Sequence, residues 1–187
     1  GCVRDSIMEY MPHDWDIATS AQPTEIIEIF KDFRIMTAGL KHGTVTIIID
    51  HEPYEITTYR VDGKYTDYRR PDTVSYTRNL AEDLLRRDFT INAIAYDGEN
   101  IIDLHGGVDD IKNKIIRCVG NPDDRFREDP LRILRALRFA VRFKFKIEES
   151  TATAMRKHMG LLDHIAIERK QSEFTKTICT DGISGNF

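Results

Sequence analysis

Asp14-Trp15-Asp16-Ile17-Ala18-Thr19 sets two carboxylates one residue apart at the head of a short apolar stretch, and Gly1-Cys2-Val3-Arg4-Asp5 stands a little upstream. If residues 14–16 are extended, side-chain alternation turns both carboxylates to one face. Two such groups repel unless a cation neutralises them, and hard oxygen ligands suit Mg²⁺. Mg²⁺ held by one or two carboxylates plus substrate phosphates is the arrangement of nucleotide-transfer sites. Taken alone, the pair also fits two solvated turn residues.

The surrounding chain reads as α+β. Trp15–Thr19 predicts a strand, and Pro23–Asp32 a helix with proline in its first turn and Ile26, Ile27 and Phe30 on one side. Thr44–Asp50 (TVTIIID) and Tyr54–Tyr59 (YEITTY) are β-branched and aromatic and predict a hairpin, broken at His51-Glu52-Pro53. Val61–Thr77 is polar and too long for a simple connection, which makes it a functional or mobile loop. Leu80–Leu85 predicts a short helix, Ile91–Tyr96 either a strand or a buried helix, and Ile101–Leu104 a strand ended by His105-Gly106-Gly107. From Pro122 the pattern is helical, over Arg125–Phe145, Glu148–Lys157 and Ile167–Ile178. Mixed structure followed by helices predicts two modules, 1–117 and 118–187, divided near 117–122.

Composition narrows the classes. With 187 residues, 41% of them hydrophobic, the chain suits one large domain or two small ones with a real core. A net charge of −4 argues against wholesale coating of nucleic acid, yet 27 basic residues among 31 acidic ones leave room for a local basic stripe. Cys2, Cys118 and Cys179 are odd in number and far apart, which reads as reduced cytoplasmic thiols without zinc spacing. No apolar run approaches the roughly 18 residues of a membrane span, and the histidines show no ligand spacing. Opening inside a motif at Gly1 and ending at Gly185-Asn186-Phe187, the chain reads as a piece of a longer protein.

Several stretches carry chemistry. Gly1 ahead of a helix start lets backbone N–H groups approach a phosphate, with Arg4 as a pairing cation; the alternative is an ordinary helix start. Glu55, on a strand beside the Asp pair, is the candidate third carboxylate, or else a solvent-facing glutamate. Arg86-Arg87-Asp88-Phe89-Thr90-Ile91-Asn92 gathers cations that match phosphate with an acid and an amide able to bond a ribose hydroxyl. Asp88 equally suits an N-cap. Arg132, Arg135, Arg138 and Arg142 fall within roughly 120° of one another at about 100° per residue, opposite Ile133, Leu134, Leu137, Ala140 and Val141. A purely cationic edge wants an anion. Asp129 and Arg132 together offer an acceptor and a donor fork to a base edge. Asp-Pro at a helix start and a plain ion pair are the structural alternatives.

Taken in order, these motifs resemble the catalytic head and neck of the class II tRNA nucleotidyltransferases, the family of CCA-adding enzymes and bacterial poly(A) polymerases. The resemblance covers residues 1–178. It implies a DNA polymerase β-like nucleotidyltransferase head with a mixed sheet, then an all-helical neck. By the motif match, Asp14 and Asp16 bind catalytic Mg²⁺ with Glu55 as third carboxylate, and Gly1 and Arg4 contact the triphosphate. Arg86, Arg87, Asp88 and Asn92 meet the nucleotide sugar and phosphates. Glu128, Asp129 and Arg132 read the incoming base, with Arg135 and Arg138 as further nucleotide contacts. Residues 103–110 (DLHGGVDD) resemble the head–neck hinge, with His105 where many members have proline, and Glu168-Arg169 through Glu173 resembles the last neck motif. The implied partners are the tRNA 3′ end, ATP and CTP, with no membrane. The family's body and tail do not follow Phe187, which implies weak tRNA affinity for this chain alone. The long Val61–Thr77 loop favours addition of the terminal A, since members adding only two cytidines tend to lack it. A poly(A) polymerase on the same scaffold and a non-catalytic RNA- or nucleotide-binding module are the competing readings.

Overall fold

The structure is a computed structural model describing residues 1–12, 14–63, 65 and 73–179. Contacts divide the chain into two compact units, Gly1–Gly63 with Thr73–Arg86, and the chain from Arg87 onward. The division expected near 117–122 falls inside the second unit. There Phe89 bridges Cys118, and Ile115–Ile116 pairs with Lys146–Ile147, tying residues 87–117 to the helices that follow.

The first unit opens with helix α1 (Cys2–Ile7), then β1 (Asp16–Thr19), α2 (Pro23–Ile29), β2 (Arg34–Met36), β3 (Thr44–Ile49) and β4 (Glu52–Thr58). The four strands form one mixed sheet in the order β1-β4-β3-β2, with β1 parallel to β4 and the other neighbours antiparallel. The predicted β3–β4 hairpin forms. Its turn is Asp50-His51, both at positive φ (50° and 70°), the two-residue geometry that matches strand twist. The expected break at His51-Glu52-Pro53 is therefore shorter, and β4 begins at Glu52. Pro53 is tolerated because β1 pairs only from Glu55 onward, so its missing N–H costs no ladder bond. Val45 and Ile47 alternate inward, fully buried, and meet Ile56 and Ile26 of α2 to form the core of this unit. Gln22 and Glu25 close a capping box at the start of α2, with Pro23 in its first turn.

Val61–Thr77, expected as a loop, begins and ends in a two-stranded ribbon of β5 (Arg60–Asp62) and β6 (Val74–Tyr76). Residues 64 and 66–72 lie outside the described residues, and with them the part of that expectation concerning terminal A addition. Helix α3 (Leu80–Leu85) forms as predicted, its N-terminus capped by the Asn79 side chain.

The second unit starts with a 3₁₀ turn at Thr90–Asn92 and the antiparallel pair β7 (Ile94–Tyr96) and β8 (Ile101–Asp103). Ile91–Tyr96, ambiguous in the sequence, is thus part turn and part strand. Helix α4 (Gly107–Asn113) follows, its first N–H groups at Gly107 and Val108 donating to the Asp103 carboxylate at 2.8 Å each. A Cβ at Gly107 would collide with the Thr90 carbonyl, so only glycine lets α4 approach this closely. Then come β9 (Ile115–Ile116), α5 (Pro122–Glu128), α6 (Leu131–Phe143), β10 (Lys146–Ile147), α7 (Glu149–His158) and α8 (Ile167–Ile178). The continuous helix expected over Arg125–Phe145 is two helices. Pro130 lacks an N–H and disfavours helical backbone at Asp129, which is extended (φ −142°, ψ 99°).

The core of this unit runs through Phe89, Ile91, Phe126, Ile133, Ala136, Phe139 and Phe143. Phe89 meets Phe139 edge-on at 5.9 Å, and Phe139 stacks on Phe143 at 5.8 Å. The buried face of α6 is accordingly Ile133, Ala136, Phe139 and Phe143, while Leu137 and Val141, expected inside, are exposed. No helix among the described residues is long and apolar enough to cross a membrane.

Candidate active site

In the first unit the parallel register of β1 and β4 makes Asp16 and Glu55 direct neighbours across the strands. Asp14 lies two residues upstream, and all three carboxylates are exposed. The neighbouring strand thus sets Glu55 in register with Asp16. No group of three or more His, Cys, Asp or Glu side chains among the described residues stands close enough to hold a metal ion. Two acids plus substrate phosphates suffice for Mg²⁺, which keeps several waters and rarely sits in an all-protein cage. The donor set at Asp14 and Asp16 fits that ion. Gly1 caps α1 beside it, and a Cβ on Gly1 would lie 3.2 Å from Asp16 Oδ2. A larger residue would crowd the carboxylate.

Arg4, expected as a phosphate contact, is sunk in the fold. It is 5% exposed, and its Nε and Nη2 donate to Asp5 Oδ1 at 2.8 and 2.6 Å. Arg86 is likewise engaged, donating to the buried Asp83 carboxylate at 2.6 Å and lying 4.0 Å from Asp62. Asp83 also accepts the Arg60 N–H, so a single carboxylate ties α3 to β5.

In the second unit Asp88 and Asn92, expected at a ribose, are both buried and bonded to each other, with Asn92 Nδ2 donating to Asp88 Oδ1 at 2.9 Å. Arg135 closes on the other oxygen, Nε at 2.9 Å and Nη2 at 2.8 Å. Arg138 donates to Glu173 Oε2 at 2.6 Å, and its guanidinium lies 4.2 Å from the Phe139 ring centre. Arg135 also stands 3.8 Å from Glu173. The cationic edge of α6 does meet anions, but they are the protein's own: Asp88, Glu128 and Glu173. Arg142 alone of the four is exposed, its guanidinium 5.3 Å from the Phe143 ring centre. Sequence spacing shows the stripe; it cannot show carboxylates 35 and 47 residues away that fold against it. Arg87 Nη1 donates to the Asn92 carbonyl at 3.3 Å, bracing the same turn.

Burial opposes ionisation of Asp88, but the charge of Arg135, the Asn92 hydrogen bond and the charge of Arg132 outweigh it, lowering its pKa to about 2. The stability this group contributes is therefore complete above the ordinary carboxylate pKa near 3.8 and is lost as pH falls toward 2. An acid titration of unfolding should show the difference between the protein and its Asp88→Asn variant shrinking across that window. A constant difference would mean that Asp88 is not ionised in the native state.

Asp129 and Arg132 do not serve one another as principal partners. Asp129 Oδ1 accepts the Leu131 N–H at 3.1 Å, as a helix cap does, and Arg169 of α8 grips both its oxygens, at 3.3 and 2.8 Å. Arg132 Nη1 donates to Glu128 Oε2 at 2.7 Å, and Glu128 also holds Arg125. The motif match had not assigned Arg169 a role; only the reach of α8 back to Asp129 exposes it.

A mixed sheet with paired acids on adjacent parallel strands, followed by a helical unit rich in buried Arg–carboxylate pairs, is a nucleotidyltransferase architecture. Residues 1–117 match the family described as "Poly A polymerase head domain", and 144–185 match "Probable RNA and SrmB- binding site of polymerase A". The chain belongs to the poly(A) polymerase head-domain family of nucleotidyltransferases, whose enzymes generally use divalent metals. It is 50% identical over 179 residues to a CCA-adding enzyme of Enterococcus faecalis (95% of this chain, 44% of that protein). It is 51% identical over 177 residues to one of Oceanobacillus iheyensis (94% and 44%). Its fold matches the Bacillus stearothermophilus CCA-adding enzyme solved in complex with CTP, with a TM-score of 0.88 and 40% identity over 97% of this chain and 44% of that one. A tRNA nucleotidyltransferase complexed with a primer tRNA and an incoming ATP analog matches at a TM-score of 0.79 and 32% identity, over 98% and 52%. The chain thus spans less than half the length of the curated relatives it matches.

Proposed function

We infer that this chain carries the catalytic head (1–117) and base-recognising neck (118–187) of a cytoplasmic tRNA nucleotidyltransferase that adds CMP and AMP to tRNA 3′ ends from CTP and ATP. The observation that carries the reading is the register of Asp16 against Glu55, with Asp14 two residues away. In the reaction the terminal 3′-hydroxyl attacks the α-phosphate. A new O–P bond forms, the α–β phosphoanhydride breaks, the hydroxyl proton passes to solvent and pyrophosphate leaves. Asp14 and Asp16 would hold Mg²⁺, which when bound neutralises charge on the attacking and leaving oxygens. Gly1 keeps the backbone of α1 close to that carboxylate. Glu55 adds negative potential beside Asp16 that favours cation capture. Arg87 supplies positive charge for phosphates, while Arg86 is held by Asp83 and Asp62.

In the neck, Asp129 supplies an acceptor and Arg132 a donor to the base. Cytosine and adenine each present an exocyclic amino donor next to a ring-nitrogen acceptor, the complement of that pair. Asp88, Asn92, Arg135, Arg138 and Glu173 hold α6 and α8 in place behind it. Arg132→Ala should blur the choice of CTP and ATP over UTP and GTP by roughly tenfold or more, with less effect on triphosphate affinity. Single-nucleotide incorporation into tRNA lacking CCA measures it; unchanged selectivity would leave Arg132 a structural partner of Glu128. The same assay separates the rival enzyme, because long homopolymeric tails from ATP alone would identify a poly(A) polymerase. Transfer that survives loss of Asp14 and Asp16 would point instead to a binding module.

A further inference from the structure

The carboxylate proposed to read the base is itself held by a fork. Arg169 Nη2 donates to Asp129 Oδ2 at 2.8 Å and Nη1 to Oδ1 at 3.3 Å, the parallel geometry that fixes a carboxylate plane. The Leu131 N–H takes a second position on Oδ1 at 3.1 Å. A carboxylate offers about four acceptor positions, so these bonds fill both on Oδ1 and one on Oδ2. A single position on Oδ2 remains for one further N–H. The pair is largely shielded, with side-chain exposures of 21% for Arg169 and 15% for Asp129. An equally fixed neighbour stands beside it: Arg132 Nη1 is pinned by Glu128 at 2.7 Å.

Resting on the base-reading role of Asp129, we propose that Arg169 is a positioning residue for nucleotide selection. It locks the Asp129 carboxylate so that one acceptor, in one orientation, faces the incoming base. An exocyclic amino group, as on cytosine and adenine, satisfies that acceptor. A carbonyl at the same place, as on uracil and guanine, would meet it acceptor to acceptor and leave a shielded carboxylate oxygen unpaired, which is costly. Rejection depends on Asp129 being unable to turn away, and the fork is what prevents turning. Lysine at 169 keeps the charge but supplies a point donor without the planar fork.

The test compares kcat/KM for CTP and UTP, and for ATP and GTP, on tRNA acceptors in the purified protein and in Arg169→Ala, Arg169→Lys and Asp129→Ala, with thermal unfolding recorded for each. The expected result for Arg169→Ala is a CTP/UTP preference lowered about tenfold or more, from gained UTP use and raised KM for CTP, with kcat at saturating CTP within a few-fold. Arg169→Lys should restore only part of the preference. A fall in kcat for all four nucleotides alike, with the ratios kept, would mean that Arg169 only stabilises the neck. Full restoration by lysine would overturn the role of the fork. Tighter use of CTP in Arg169→Ala would mean that Arg169 competes with the base. Ratios unchanged in Arg169→Ala but lost in Asp129→Ala would overturn this proposal alone; ratios unchanged in both would overturn the base reading beneath it.

Discussion

Asp16→Ala is expected to lower nucleotide transfer by about 10³-fold or more, because the charge stabilisation it removes is realised mainly in the transition state. The side chain is exposed and makes no core contact, so unfolding free energy should change by about 0.5 kcal/mol or less. That combination, a large kinetic effect with an intact fold, separates a metal carboxylate from a structural one. Asp14→Ala should behave alike, and Glu55→Ala more mildly, since Glu55 is a sheet neighbour of Asp16 rather than a member of the pair. Measured kcat/KM for CTP addition, beside a thermal melt, decides the matter. Transfer within tenfold of the unaltered protein in both aspartate variants would remove these residues from the chemistry.

Asp88→Ala should produce the largest loss of stability in the second unit. Asp88 is 9% exposed and is the nearest carboxylate to Arg135, so its removal leaves a partly buried guanidinium with the more distant Glu173 at 3.8 Å and takes an acceptor from the Asn92 amide. Breaking one side of a buried pair costs about 3–5 kcal/mol, a large share of the roughly 5–15 kcal/mol that holds a domain. Removing both partners, in Asp88→Ala with Arg135→Met, should recover part of that loss, because no charge is then left without a partner. Denaturant unfolding of the single and double variants gives the coupling directly. A single variant as stable as the parent would mean that water reaches Arg135 and replaces Asp88.

Local structure was legible wherever it depended on local chemistry. The hairpin follows from its β-branched strands, though its turn is Asp50-His51 rather than the expected break, and α2 starts at Pro23 as expected but ends at Ile29, short of Asp32. α3 appears over the predicted residues, and β1 forms one residue short of its expected start. Glu55 was legible as a strand residue and a candidate third acid, but the parallel pairing that sets it beside Asp16 is long-range and comes from the structure. The failures have a common cause. An amphipathic pattern over Arg125–Phe145 reads as one helix until Pro130 is weighed against it, and Pro130 ends α5 at Glu128. The same pattern marks four arginines as an anion-seeking edge, when Arg135 and Arg138 are met by carboxylates of distant segments and Arg132 by Glu128, four residues before it.

By itself, then, the sequence determined the α+β class, the β3–β4 hairpin, the starts of α2 and α3, the acidic pair at the head of β1 and the motifs that place the chain in its family. All of these rest on interactions within a few residues, or on spacing along the chain. Only the tertiary structure decided which charged groups are open and which are consumed. It sank Arg4 against Asp5, gave Asp88 to Arg135, and carried Arg169 across 40 residues to Asp129. A guanidinium has the same letter whether it faces solvent or a buried carboxylate; burial and partner are properties of the fold, and they set what each charge can do.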